Sequence, residues 1–266
     1  MTSFLATSLY TWSNMKKVLF FLMLCPWVMT SQMNESDSLN FKANLSITGF
    51  WQGGNVETII FRTKTGLSFR PWKKWVYKNT NSYVYQEFGR EKADEDILSL
   101  NFLYFNPERK VYPLLLGFVS TNFRREIDLR YLLGAGFTVQ VLNKDENWLK
   151  FSLTSEYEQT EFGSDIFNRS EFDGDSSINT FRATLWVNGK YHLFKKKAIV
   201  TLESYFQPSL EQSRNFRWQA DAGLEFPVWK FLSFKVNYLH SFESIVIADQ
   251  EQEDTFLTFG FTLKSY

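Results

Sequence analysis

The sequence predicts an all-β fold: a transmembrane antiparallel up-and-down β-barrel of about twelve strands, preceded by a signal peptide. Three observations carry this reading. From about Leu39 to Tyr266, runs of roughly ten to fifteen residues alternate apolar with polar and are punctuated by turns. Such runs exceed the usual length of soluble strands and suit a tilted crossing of a bilayer. Aromatic residues make up 18% of the chain while mean hydropathy is only -0.27. That combination fits a wall that gives alternate residues to lipid, and it is too polar for a bundle of membrane helices.

Taken in order, the chain opens with a segment that reads as a secretory signal, residues 1–31. Lys16 and Lys17 form its basic start, Val18 to Met29 its apolar core, and Thr30 and Ser31 its small-residue exit. The core is too short to span a bilayer as a helix. Residues 1–14 precede a better start at Met15, and cleavage is expected after Ser31. Cys25, the single cysteine, lies in this segment, so neither an intramolecular disulfide framework nor a cysteine zinc site is available. Residues 32–38 are expected as a short periplasmic segment and 39–266 as the barrel. Short turns fall near 71–74, 107–110, 143–147, 194–197 and 227–230, each rich in Pro, Asn or Lys. Longer connections alternate with them, near 53–55, 89–96, 124–128, 163–177, 209–215 and 248–254. This alternation places both chain ends on the short-turn, periplasmic side.

The last run shows the two faces of the wall. Leu257, Phe259, Phe261 and Leu263 share the lipid phase, joined from an earlier run by Leu185, and the intervening residues are polar or small. Trp75, Tyr77, Trp148 and Trp229 sit beside short turns with Trp72, Tyr112, Tyr191 and Phe231, as a periplasmic aromatic girdle would. Trp51, Tyr85, Phe88, Phe123, Phe162, Phe216 and Phe242 form a matching outer set. Traced inward, the polar phase offers Arg62, Lys64, Arg130, Lys150, Glu156, Arg182, Glu203, Arg217, Asp221 and Glu225 as lumen-lining residues. They either line a narrow channel or pair across and close it. Arg62, Lys64, Arg130 and Arg182 would make a cationic wall for anionic solutes, opposed by Glu156, Asp221 and Glu225.

Zero net charge gives no basic field for nucleic acid. The acidic loops around 165–175 and 249–254 lack the ligand spacing of an EF-hand, so they read as solvated loops, and no metal or cofactor is expected. No catalytic residues are assigned. His240 and Ser241 are adjacent on one strand and face opposite ways, and His192 adjoins a lysine turn. The expected partners are outer-membrane lipids and lipopolysaccharide, together with the barrel-assembly machinery through the terminal strand. By simple alternation Tyr266 falls out of phase with Phe259, Phe261 and Leu263, and a bulge near Ser265 would restore it.

Three stretches together resemble a bacterial family of salt-induced outer-membrane proteins catalogued as a domain of unknown function. They are Thr48-Gly-Phe-Trp-Gln-Gly-Gly-Asn-Val-Glu-Thr58, Asn122-Phe-Arg-Arg-Glu-Ile-Asp-Leu-Arg-Tyr-Leu-Leu-Gly-Ala-Gly136, and the aromatic last strand. The resemblance implies a barrel in the outer membrane of a Gram-negative bacterium and carries no reaction with it. The expected function is a narrow porin-like channel for small solutes or an envelope component. The alternatives are a closed structural barrel or a lipid-modifying enzyme.

Overall fold

The computed structural model describes residues 34–36, 40–53, 57–144 and 146–264. The expected signal peptide and the Ser265–Tyr266 phase question lie outside the described residues. Twelve strands follow one another: β1 (Phe41–Gln52), β2 (Thr58–Trp72), β3 (Trp75–Phe88), β4 (Glu91–Phe105), β5 (Val111–Asn122), β6 (Ile127–Lys144), β7 (Asn147–Phe162), β8 (Ser177–Leu193), β9 (Ala198–Pro208), β10 (Phe216–Trp229), β11 (Leu232–Glu243) and β12 (Glu253–Lys264). Each pairs antiparallel with its neighbours in sequence, and β1 pairs with β12, with Gly49 opposite Phe259, to close the barrel. The seam pairs Asn44–Gly49 of β1 with Phe259–Lys264 of β12, so the two terminal strands satisfy each other over that stretch, as crossing hydrocarbon with strands requires.

Among the expected long connections, 89–96 is instead a tight hairpin. Gly89 and Arg90 both have positive φ, 60° and 70°, as a two-residue type I′ turn requires. Glu91 then pairs with Phe88, and Asp96 with Val84. The charges that made this stretch read as a loop belong to the strand end.

Along each strand the side chains alternate between the two faces. Leu185, Leu257, Phe259 and Phe261 are exposed on the outside and Leu263 is half-buried there. Trp75 and Tyr77 also face outward, packed on Phe105 and Phe69, and the exposed Trp229 stacks on Phe231. Trp148 departs from the expected girdle. It is 3% exposed and points into the barrel, because β7 directs its even-numbered residues inward and Trp148 shares that phase with Lys150 and Ser152. Tyr112 also turns inward, and Phe162 is buried under a loop rather than set in the outer ring.

The interior departs from a uniformly polar lumen. On β4 and β5 the inward residues are Leu100, Phe102, Tyr104, Tyr112, Leu114, Leu116 and Phe118, which join Leu132 of β6 and Trp186 of β8 in one buried cluster. Phe102 meets Trp186 edge-on at 5.7 Å, so the cluster reaches from β4 across to β8. Gly136 makes room on that wall: a Cβ there would lie 2.7 Å from the Thr154 Cα. One half of the lumen is therefore an apolar core, and the charged residues crowd the other half.

Candidate functional site

All ten of the lumen-lining candidates point inward, and the structure gathers them into layers. Lower in the barrel, Arg62 on β2 meets Asp221 on β10 at 2.9 Å, and Lys64 bridges Asp221 at 3.2 Å and Glu203 of β9 at 2.5 Å. Glu225 and Lys235 line the same small cavity of about 50 Å³. Nearer the outer end, Glu158 sits between Arg182, at 2.9 Å, and Arg217. Arg130 of β6 makes a two-pronged bond to Glu243 of β11, at 2.7 and 2.8 Å. Strands β6 and β11 lie nearly opposite each other in the barrel order, so this pair spans the lumen. Glu156 is held by hydroxyls, accepting from Thr154 and from Thr184 at 2.9 Å. The expected cationic wall is thus neutralised where it stands, since Arg62, Lys64, Arg130 and Arg182 each hold a carboxylate. Charges removed from water are tolerable only when paired in this way.

The mouth on the short-turn side holds a feature that alternation along strands could not reveal. Asn34, Glu35 and Ser36, from the segment expected as a short periplasmic one, turn into the barrel. Glu35 pairs with Lys150 at 3.0 Å and accepts from the Tyr112 hydroxyl at 2.7 Å. Asn34 donates to Asn143, and Ser36 donates to the Pro107 carbonyl. Burial opposes ionisation of Glu35, but Lys150, Lys78 and the Tyr112 hydroxyl outweigh it and hold its carboxyl at about 2. Lys150, expected to line the lumen, points inward and holds Glu35 and Asn34.

At the opposite mouth two loops pack together over part of the opening, beside a cavity of about 90 Å³ lined by Arg125, Arg130 and Glu243. The connections 163–176 and 244–252 bridge at Phe167 and Ile247, with Asn168 N donating to Val246 O at 3.0 Å and Ala248 N to Ile166 O at 2.9 Å. Phe167, Ile245 and Ile247 pack on Ile127, Phe162 and Ile178 at the strand ends. Beneath them Arg125 binds Asp254 at 2.7 Å and Glu243 at 3.1 Å. The acidic residues of 163–176 are not all simply solvated: Asp173 accepts from the Phe167 backbone at 2.7 Å and shapes the lid. The run Ser244-Ile-Val-Ile247 lies just before the loop expected at 248–254, and the structure places it in the connection, where it carries the lid's apolar contacts.

His240 faces outward, stacked on Trp218 at 4.8 Å, with Thr255 opposite it across β11 and β12. Its Nδ1 lies 3.2 Å from the Tyr238 hydroxyl and 3.3 Å from that of Thr255. Among the described residues no group of three or more His, Cys, Asp or Glu is placed to hold a metal ion.

A protein family of unknown function, DUF481, matches residues 45–264 of this chain. The chain belongs to the DUF481 family. That span runs from within β1 to the end of β12, so the family is defined by the barrel itself. Among solved structures, the NanC porin is similar to this DUF481 barrel with a TM-score of 0.51 at 11% identity, over 83% of this chain and 99% of that one. The translocator domain of the autotransporter NalP from Neisseria meningitidis gives a TM-score of 0.44 at 12% identity, over 85% of this chain and 87% of that one. At 11% identity the likeness to the NanC porin is one of fold alone. No curated protein is significantly similar to the chain.

Proposed function

We propose that this DUF481 chain is an integral outer-membrane barrel of a Gram-negative envelope whose lumen is shut in its resting state. It serves as an envelope component and passes small solutes only when its periplasmic segment leaves the lumen. The observation that carries this reading is the Arg130–Glu243 pair spanning the barrel, flanked by a partly covered outer mouth and by Glu35 seated on Lys150 at the inner one. An open general-diffusion pore needs a continuous aqueous path, whereas here an apolar core fills half the section and paired charges the other. The reading is non-enzymatic: His240 packs as an interfacial ring on Trp218. Lipid and lipopolysaccharide would cover the outer face, and the last strand would be the part presented to the assembly machinery.

Liposome swelling tests this. Vesicles carrying folded, heat-modifiable barrel should swell in small sugars no faster than protein-free vesicles. Rapid, size-graded swelling with the N-terminal segment intact would overturn the reading.

A further inference from the structure

We infer that the outer wall formed by β2 to β5 is a docking surface for a second copy of this chain within the membrane. The inference rests on the membrane placement proposed above and on a reversal of polarity in this sector. Elsewhere the middle of the outward face is largely apolar, as at Leu153, Leu185, Leu224, Phe259 and Phe261. On β3 and β4 the mid-strand outward positions are Asn79, Asn81, Ser99 and Asn101, and Thr63 and Thr65 adjoin them on β2. The inward residues of the same strands β4 and β5 make the apolar core. Strand β4 is therefore turned inside out relative to the rest of the wall, while its neighbour β5 is apolar on both faces, with Leu115 and Val119 exposed outward.

These side chains form one connected cluster. Asn79 donates to Asn101 at 2.8 Å, Asn81 donates to Asn79 at 2.6 Å and to Thr65 at 3.3 Å, and Asn101 donates to Ser99 at 3.2 Å. The bonds hold the cluster in one arrangement, but facing acyl chains it would remain a polar island at mid-depth, which hydrocarbon does not solvate. Beside it, Gly117 on β5 leaves a notch, since an added Cβ would approach nothing closer than Leu133 at 3.8 Å and Asn101 at 3.9 Å.

A second copy is the occupant this chemistry selects. The patch is uncharged, and the half-buried Asn81, Ser99 and Asn101, held from beneath by the buried Asn79, present both donors and acceptors, so it is complementary to itself. Copies inserted in the same direction are related by an axis along the membrane normal, which brings each patch against its counterpart at equal depth. A lipid offers no hydrogen-bonding group at that depth, and no charge on the patch calls for a charged partner.

The test uses full-length protein in outer-membrane vesicles, in a Cys25→Ser background. Ser99→Cys should form a disulfide-linked pair of this chain under mild oxidation, and Leu224→Cys on β10, six strands from β4 in the twelve-strand order, should not. Asn79→Leu with Asn101→Leu should weaken association by about tenfold or more in nanodiscs. It should still give the heat-modifiable band of a folded barrel, because it removes polar atoms from a lipid-facing position. Equal cross-linking at the two cysteines, a Ser99→Cys disulfide to a different protein, no disulfide-linked pair at Ser99→Cys, or a monomeric wild type in nanodiscs would each overturn the inference. A barrel missing from the membrane fraction would instead count against the membrane placement itself.

Discussion

At the residue scale, one charge decides how the outer half of the lumen holds together. Glu158 is 1% exposed and faces both Arg182 and Arg217. Glu158→Gln leaves two buried guanidinium groups short of a counter-charge, and the expected loss is about 3 kcal/mol or more in urea unfolding from lipid vesicles. A loss under about 1 kcal/mol would mean that water already screens the site. On the outer face, Phe259 lies mid-strand, opposite Gly49 and Val236. Phe259→Arg should cost about 2 to 4 kcal/mol if that position is at the bilayer midplane. Unchanged stability in the same assay would contradict the outward, lipid-covered assignment. Glu35 sets a pH dependence. Its carboxyl is lowered from 4.5 to about 2, so its contribution to docking is complete above 4.5 and is lost as pH falls through about 2. A spin label at Ser36→Cys should stay immobile from pH 8 to 5 and gain mobility between 4.5 and 2, and Glu35→Gln should abolish that transition. Release near neutral pH would contradict the pairing with Lys150.

At the element scale, the lid ties two distant connections together through an apolar contact. Phe167 stacks edge-on against Phe162 at 5.0 Å and bridges to Ile247. Phe167→Ala should remove about 3 kcal/mol of the lid's local stability. The expected readout is faster protease cleavage within 163–176 at an unchanged barrel melting temperature, and equal cleavage would show that the loops do not depend on each other. Strands were legible in the sequence because a period of two survives in most runs, the terminal strand above all, although β5 is apolar on both faces and the middle of β3 polar on both. The lid was not, because the Phe167 and Ile247 pairing joins residues that no local pattern relates. Trp148 shows the limit of reading aromatic position without phase: it lies beside a turn, as a girdle residue should, yet alternation along β7 puts it inside with Lys150. The inward charges could be named one by one from their phase. Which carboxylate each cation meets depends on barrel closure and stagger, as when Arg130 reaches Glu243 from the far wall.

At the scale of the whole molecule, three features narrow the lumen. They are the loops packed at the outer end, the paired charges and apolar cluster of the middle, and the segment on Lys150 at the other end, and only the last lies outside the barrel strands and their loops. Displacing that segment is therefore the change that should alter permeation without disturbing the fold. Single-channel recording in planar bilayers at neutral pH, comparing wild type with Lys150→Ala and Glu35→Ala, tests this most directly. The wild type should be almost silent, and both variants should show brief, small openings from protein that remains heat-modifiable. Long-lived steps in the wild type that neither substitution changes would contradict the account.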